Sequence, residues 1–171
     1  MTAFIELENW DISNNKISAM KNSRNGNLSI TSNHSNGILH IQIPSFSSRY
    51  GLDDKYKLKL KIYKDEICSF DKFHTFDDHI KNTCAEIFKS RTTHCPMVND
   101  DWIGFDCDAK TVTILNKKGE TISSSSYTEK DTAKLIPRLS RISCIVKMSY
   151  VYNQSGKFGV KKHVVQIQLL A

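Results

Sequence analysis

Lys55 to Lys64 read KYKLKLKIYK, and this stretch commits the chain to β structure. Its period of two places Tyr56, Leu58, Leu60 and Ile62 on one side of an extended strand and Lys57, Lys59 and Lys61 on the other. The apolar side needs a core beneath it. The lysine side presents a charge about every 6.6 Å, which is close to the phosphate spacing of an extended single strand. The plainer reading of the same lysines is an edge strand guarded against pairing with other chains.

The rest of the chain supplies partners for such a strand. Before it, short apolar runs at Lys16 to Met20, Leu28 to Thr31 and Ile38 to Ile43 are separated by Asn25-Gly26 and Asn36-Gly37 steps, which turn hairpins cheaply. Pro44 is expected to end the third run, since it has no N–H to give a ladder. After it, Thr75 can cap a helix over about 75–90. Asp77 and Asp78 suit its N-terminus, Phe76, Ile80, Cys84, Ile87 and Phe88 its buried face, and Lys89 and Arg91 its end. Further strands are expected at Trp102 to Phe105 and Thr111 to Leu115, the latter turning into Thr121 to Ser123, with a helical turn near Thr128 to Leu135. A long hairpin, 142–170, then turns around Asn153-Gln154-Ser155-Gly156. The expected fold is mainly β (α+β): a curled antiparallel sheet or OB-like β-barrel with extra hairpins and one inserted helix, in a single domain over 1–171.

Charge is placed, not spread. The net charge is +6, and Thr132 to Ala171 hold seven Lys/Arg and no Asp or Glu, leaving 17 basic against 18 acidic side chains in the first 131 residues. An acid-free block that alternates with apolar residues reads as a folded face for a polyanion. Within it, Tyr150, Tyr152 and Phe158 stand beside Lys157, Lys161, Lys162 and His163, with Arg138, Arg141 and Lys147 upstream. Rings that stack on unpaired bases, next to cations that hold phosphates, are what sequence-tolerant single-strand binding requires. The competing reading makes the tyrosines core and the lysines a solvated rim.

Other chemistry is poorly served. Five cysteines at irregular spacing read as reduced, mostly buried thiols. Cys68, His74, His79, Cys84, His94 and Cys95 fall close together, but without the paired spacing of a zinc site. Asp106 and Asp108 alternate as a Mg²⁺-binding pair in a nuclease would, with Lys110 near. No phosphate-binding glycine loop, nucleophile elbow or H-E-x-x-H occurs. No catalytic residue, metal or cofactor is assigned. No run has the length of a membrane span, and Thr2-Ala3-Phe4-Ile5-Glu6 lacks the pattern of a signal peptide, so an intracellular location is expected.

Two segments carry a family resemblance. Gly37-Ile38-Leu39-His40-Ile41-Gln42-Ile43-Pro44 with Tyr50-Gly51, and Gly156-Lys157-Phe158-Gly159 with Val164-Val165-Gln166-Ile167, resemble stretches of small proteins encoded by large nucleocytoplasmic DNA viruses. These look like viral single-stranded DNA-binding proteins with an OB-type core. The resemblance spans about Asn25 to Leu170 and implies a non-enzymatic role in viral DNA replication or recombination, at the host cytoplasmic or nuclear replication site. Where such proteins tend to carry Trp on either side of the GKFG turn, this chain has Tyr150 and Tyr152 before it and Lys161-Lys162-His163 after it. The expected partner is single-stranded DNA, with RNA compatible, and the expected nucleic-acid-binding residues are Lys57, Lys59, Lys61, Arg138, Arg141, Lys147, Tyr150, Tyr152, Lys157, Phe158, Lys161 and Lys162. The alternatives are a virion or scaffold protein with a basic interaction face and a metal-dependent nuclease. Self-association through an exposed strand edge stays open.

Overall fold

A computed structural model describes residues 4–19, 26–32, 37–88 and 92–170. Met20, Asn25, Asn36, Lys89 and Arg91, on which two expected turns, a strand end and a helix end depend, lie outside the described residues. The strands are β1 (Ile5–Glu6), β2 (Asn15–Ala19), β3 (Leu28–Ser32), β4 (Gly37–Ser48), β5 (Leu52–Asp53), β6 (Lys59–Tyr63), β7 (Thr93–His94), β8 (Val98–Asn99), β9 (Trp102–Cys107), β10 (Thr113–Leu115), β11 (Ser140–Gln154) and β12 (Lys157–Leu169). They form one sheet with path β1-β4-β3-β11-β12-β9-β6-β5. The fold is mainly β, a curled half-barrel with one long helix, consistent with an OB-like architecture. That helix, α1, spans Asp71–Phe88, and a short α2 spans Glu129–Ala133.

The long hairpin of β11 and β12 is the spine. On one side β11 pairs with β4 from Ser140↔Ser48 to Met148↔Leu39, and on the other with β12 from Ile142↔Leu169 to Gln154↔Lys157. Its central place, with one face turned to the core, explains its apolar content: Ile142, Cys144, Val146, Met148 and Val151 are all buried. The helix fills the curl. Phe73 meets Phe105 of β9 with ring centroids 6.0 Å apart, Trp10 meets Phe76 at 5.0 Å, and Phe88 meets Phe158 of β12 at 5.4 Å. Each fully buried ring of this kind contributes about 1.5–3 kcal/mol over leaving it in water. Among the described residues no helix is long and apolar enough to cross a membrane.

Three local expectations are corrected. Pro44 does not end its strand: β4 runs on to Ser48, because Ile142↔Phe46 and Cys144↔Ile43 leave Pro44 and Ser45 opposite Ser143 alone. That bulge leaves the proline no ladder bond to give. The helix begins at Asp71, not Thr75, whose hydroxyl donates back to the Asp71 carbonyl at 3.2 Å. Asp77 is therefore inside the helix and buried, where it accepts the N–H groups of Met97 at 2.7 Å and Val98 at 3.0 Å. Burial pushes its carboxyl up even though both bonds pull the other way. The alternating strand is also shorter than KYKLKLKIYK: β6 starts at Lys59, Lys55 to Lys57 form a bend, and Tyr56 is 86% exposed. The cysteines are free, and burial pushes the thiols of Cys84 and Cys107 up to about 11 and about 12.

Candidate nucleic-acid interface

The outer face of β6 carries Lys59, Lys61 and Tyr63, and its inner face buries Leu60 and Ile62. Antiparallel pairing sets Asp106, Gly104 and Trp102 of β9 opposite those three outer residues. The indole and the Lys59 stem lie down over Gly104. A Cβ there would fall 3.0 Å from Trp102 Cζ3 and 3.1 Å from Lys59 Cδ, so the bare backbone lets both side chains cover the strand.

Three aromatic rings follow one another across this end of the sheet, each with a cation against it. Tyr50 and Tyr63 meet edge-on at 5.7 Å, and Tyr63 and Trp102 at 6.5 Å. Arg138 stands 5.6 Å from the Tyr50 centroid, Arg49 4.1 Å from that of Tyr63 and Lys61 4.9 Å from that of Trp102. Arg49 is also fixed by two bonds to Asp65, at 2.7 and 2.9 Å. Such cation–ring contacts contribute about 0.5–1 kcal/mol at exposed sites, and they hold the rings in place.

The surface continues into a groove. β9 and β12 pair only at Asp106↔His163 and Cys107↔Val164 before they part, β9 to join β8 and β12 to join β7. Between them lies a cleft of about 330 Å³, lined by Lys59 and Asp106 on one wall, Tyr150, Tyr152 and Lys161 on the other, and Pro96 among the residues joining β7 to β8. The bonds from Met97 and Val98 to Asp77 anchor that connection on α1. Asp106 sits between two cations, 3.4 Å from Lys161 Nζ and 3.9 Å from Lys59 Nζ.

A bulge delivers the tyrosines to this cleft. The register passes from Met148↔Lys162 to Tyr150↔Lys161, so Ser149 has no opposite number and the alternation slips by one. Val151 then falls into the core, while Tyr150 and Tyr152 leave the inward face that simple alternation would give them. Tyr152 lies along Gly159, where a Cβ would be 2.7 Å from its hydroxyl; burial, with a hydrogen bond to Cys95, pushes the phenol up to about 12.

Beside the cleft a polar row crosses the sheet: Lys59, Asp106, His163, Lys147 and His40, on β6, β9, β12, β11 and β4. Burial holds both imidazoles below their ordinary range. For His40 the Ile38 carbonyl opposes this and Lys147 adds to it, and for His163 Lys147, Lys161 and His40 add to it while Asp106 opposes it. Both rings are therefore neutral at pH 7. Their protonation adds two charges, so affinity for a polyanion is expected to rise as pH falls below the ordinary imidazole range. Stability of the free protein moves the other way. The unfolded chain takes up these protons first, near pH 6.5, so stability is lost as pH falls from there toward the lower folded values. Anisotropy and urea titrations from pH 5 to 8 on the parent and on His40→Gln/His163→Gln check both signs, and curves unchanged by the substitutions would refute this account.

No family model matches the chain, and no curated protein matches it in sequence. Solved structures do resemble it. The single-stranded DNA-binding protein from bacteriophage Enc34 gives a TM-score of 0.49 at 15% identity over 91% of this chain and 89% of that one. The same phage protein in complex with ssDNA gives 0.47 at 14% identity, over 90% and 94%, and its C-terminal truncation 0.45 at 13%, again over 90% and 94%. None of these findings ties the chain to large nucleocytoplasmic DNA viruses.

The structure gathers Lys59, Lys61, Tyr150, Tyr152, Lys161 and Lys162 around the ring series and cleft, adds Arg138 at the Tyr50 end, and places Lys147 in the polar row. Lys57 sits in the exposed bend before β6, Lys157 at the hairpin tip and Arg141 at the far end of β11. Phe158 is a correction. It is 2% exposed and packs on Phe88 and on His94, at 5.1 Å, so it belongs to the core and cannot receive a base. Asp106 and Asp108 also fail to share a strand face: β9 ends at Cys107, and Asp108 Oδ1 accepts the Lys110 N–H at 3.0 Å. Arg49, Tyr50, Tyr63 and Trp102 are absent from the sequence-derived set. For Tyr63 the signal was present, since it has the same parity as Lys59 and Lys61.

Proposed function

We propose that this chain is a non-enzymatic single-stranded nucleic-acid-binding protein whose partner is single-stranded DNA, the polymer the sequence motifs imply, in the service of viral DNA replication or recombination. One observation carries the reading: the series Tyr50, Tyr63 and Trp102, each with its own cation, runs on through Lys61 and Lys59 into the Tyr150/Tyr152 cleft. Rings supply stacking that tolerates any base, cations follow the backbone, and a paired duplex has no free base faces to offer. The lysines of β6 and β12 then act together although they are far apart in sequence.

The test is a titration of labelled single-stranded and duplex 30-mers across a salt series, followed by anisotropy. Single strands should bind more tightly, with log K falling by about 0.7 per phosphate neutralised for each unit of log salt. Replacing Lys59, Lys61 and Lys161 by Gln should flatten that slope by about 2. Salt-independent binding, or equal affinity for the duplex, would overturn the reading in favour of a basic face that serves a virion or scaffold.

A further inference from the structure

The Tyr50 end of the surface contains carboxylates where a binder of bare phosphates has no use for them. A cavity of about 560 Å³ is lined there by Tyr50, Leu52, Asp53, Asp54, Lys61, Tyr63 and Arg138. Its size falls in the range of small-ligand pockets. Asp53 is oriented by its own loop: Oδ1 accepts the Lys55 N–H at 3.0 Å, and Oδ2 lies 3.9 Å from Lys61 Nζ. A carboxylate offers about four lone-pair sites, so accepting capacity remains, and Asp54 beside it is exposed.

Taking the single-strand reading as its basis, we infer that this cavity is a base-reading subsite selective for guanine. A carboxylate only accepts hydrogen bonds, and it repels phosphate. In a DNA strand the groups that can donate to it are on the bases. Guanine carries two donors side by side, N1–H and the N2 amine, which match the two oxygens of one carboxylate. Adenine and cytosine present one amine beside a ring acceptor, and thymine one imino N–H between two carbonyls, so each sets a lone pair against the second oxygen. Guanine also has a paired acceptor edge, O6 and N7, which suits the fork of an arginine. Asp53/Asp54 and Arg138 line the same cavity, so both edges of guanine find complements there and those of the other bases do not. Tyr50, 45% exposed and held by Arg138, offers the stacking face.

The experiment compares labelled thymidine 30-mers that are uniform or carry one central dG, dA or dC. One dG should tighten binding by about 5- to 150-fold, the range of one good bidentate contact, with dA and dC in between. In Asp53→Asn/Asp54→Asn the ratio between dG-bearing and uniform strands should fall toward one. Asn keeps an acceptor for the Lys55 N–H, and a melting curve checks the fold. Equal binding of all four strands, or a dG preference that survives the double substitution, overturns the guanine subsite while the single-strand reading stands. Failure to bind any single strand overturns both.

Discussion

Alanine at both Tyr63 and Trp102 is expected to weaken binding of a single-stranded 30-mer by at least about 30-fold, because each ring contributes about 1–3 kcal/mol of stacking per base. The salt slope should not change. Stacking releases no counterions, whereas the lysine substitutions flatten the slope, so the two sets of variants separate the work of rings from that of charges. Both rings are only partly buried and sit on the outer face, so the melting temperature should shift little. The chain has two tryptophans, and Trp10 is 2% exposed against α1, so a change in tryptophan fluorescence on adding DNA reports on Trp102 and should vanish in Trp102→Ala. An affinity within threefold of the parent would remove the ring series from the interface.

Periodicity showed the strands whose two faces differ most. Leu60 and Ile62 against Lys59 and Lys61 gave β6, and the apolar run from Ile142 gave β11 with its hairpin partner, because burial on one or both faces leaves a pattern in the residues themselves. The exceptions to periodicity did not show. Nothing in Met148-Ser149-Tyr150 announces that Ser149 bulges, yet that slip decides whether Tyr150 and Tyr152 enter the core or the cleft. Pro44 looked like a stop because a lone strand cannot know that its partner will leave a gap opposite. Phe158 looked like a partner for bases because its burial is made by Phe88, seventy residues away at the end of α1. The ring series was hidden for the same reason: Tyr50, Tyr63 and Trp102 come from the turn after β4, from β6 and from β9, and the sheet alone makes them neighbours.

Gly51→Ala is expected to cost about 2–6 kcal/mol of stability, the sum of a side chain at positive φ and a collision in a packed site. Gly51 has φ +64, and a Cβ would fall 2.2 Å from the Ile136 carbonyl oxygen and 2.9 Å from the Pro137 carbonyl carbon. That closeness is built in, since Leu52 N donates to Ile136 O at 3.3 Å and Leu139 N to Ser48 O at 2.6 Å, lacing the β4–β5 turn to the segment before β11. The two sides of the lacing carry Tyr50 and Arg138, so parting them should also remove the cation from that ring and weaken single-strand binding below the unfolding midpoint. Gly119 provides the control: its φ is +82, but a Cβ there meets nothing within 4 Å, so Gly119→Ala should cost only the backbone term, about 1–2 kcal/mol. Urea unfolding of both variants measures the difference, which belongs to the contact with Ile136 and Pro137. Equal losses in the two would mean that the turn yields without strain, and that Gly51 does not hold Tyr50 against Arg138.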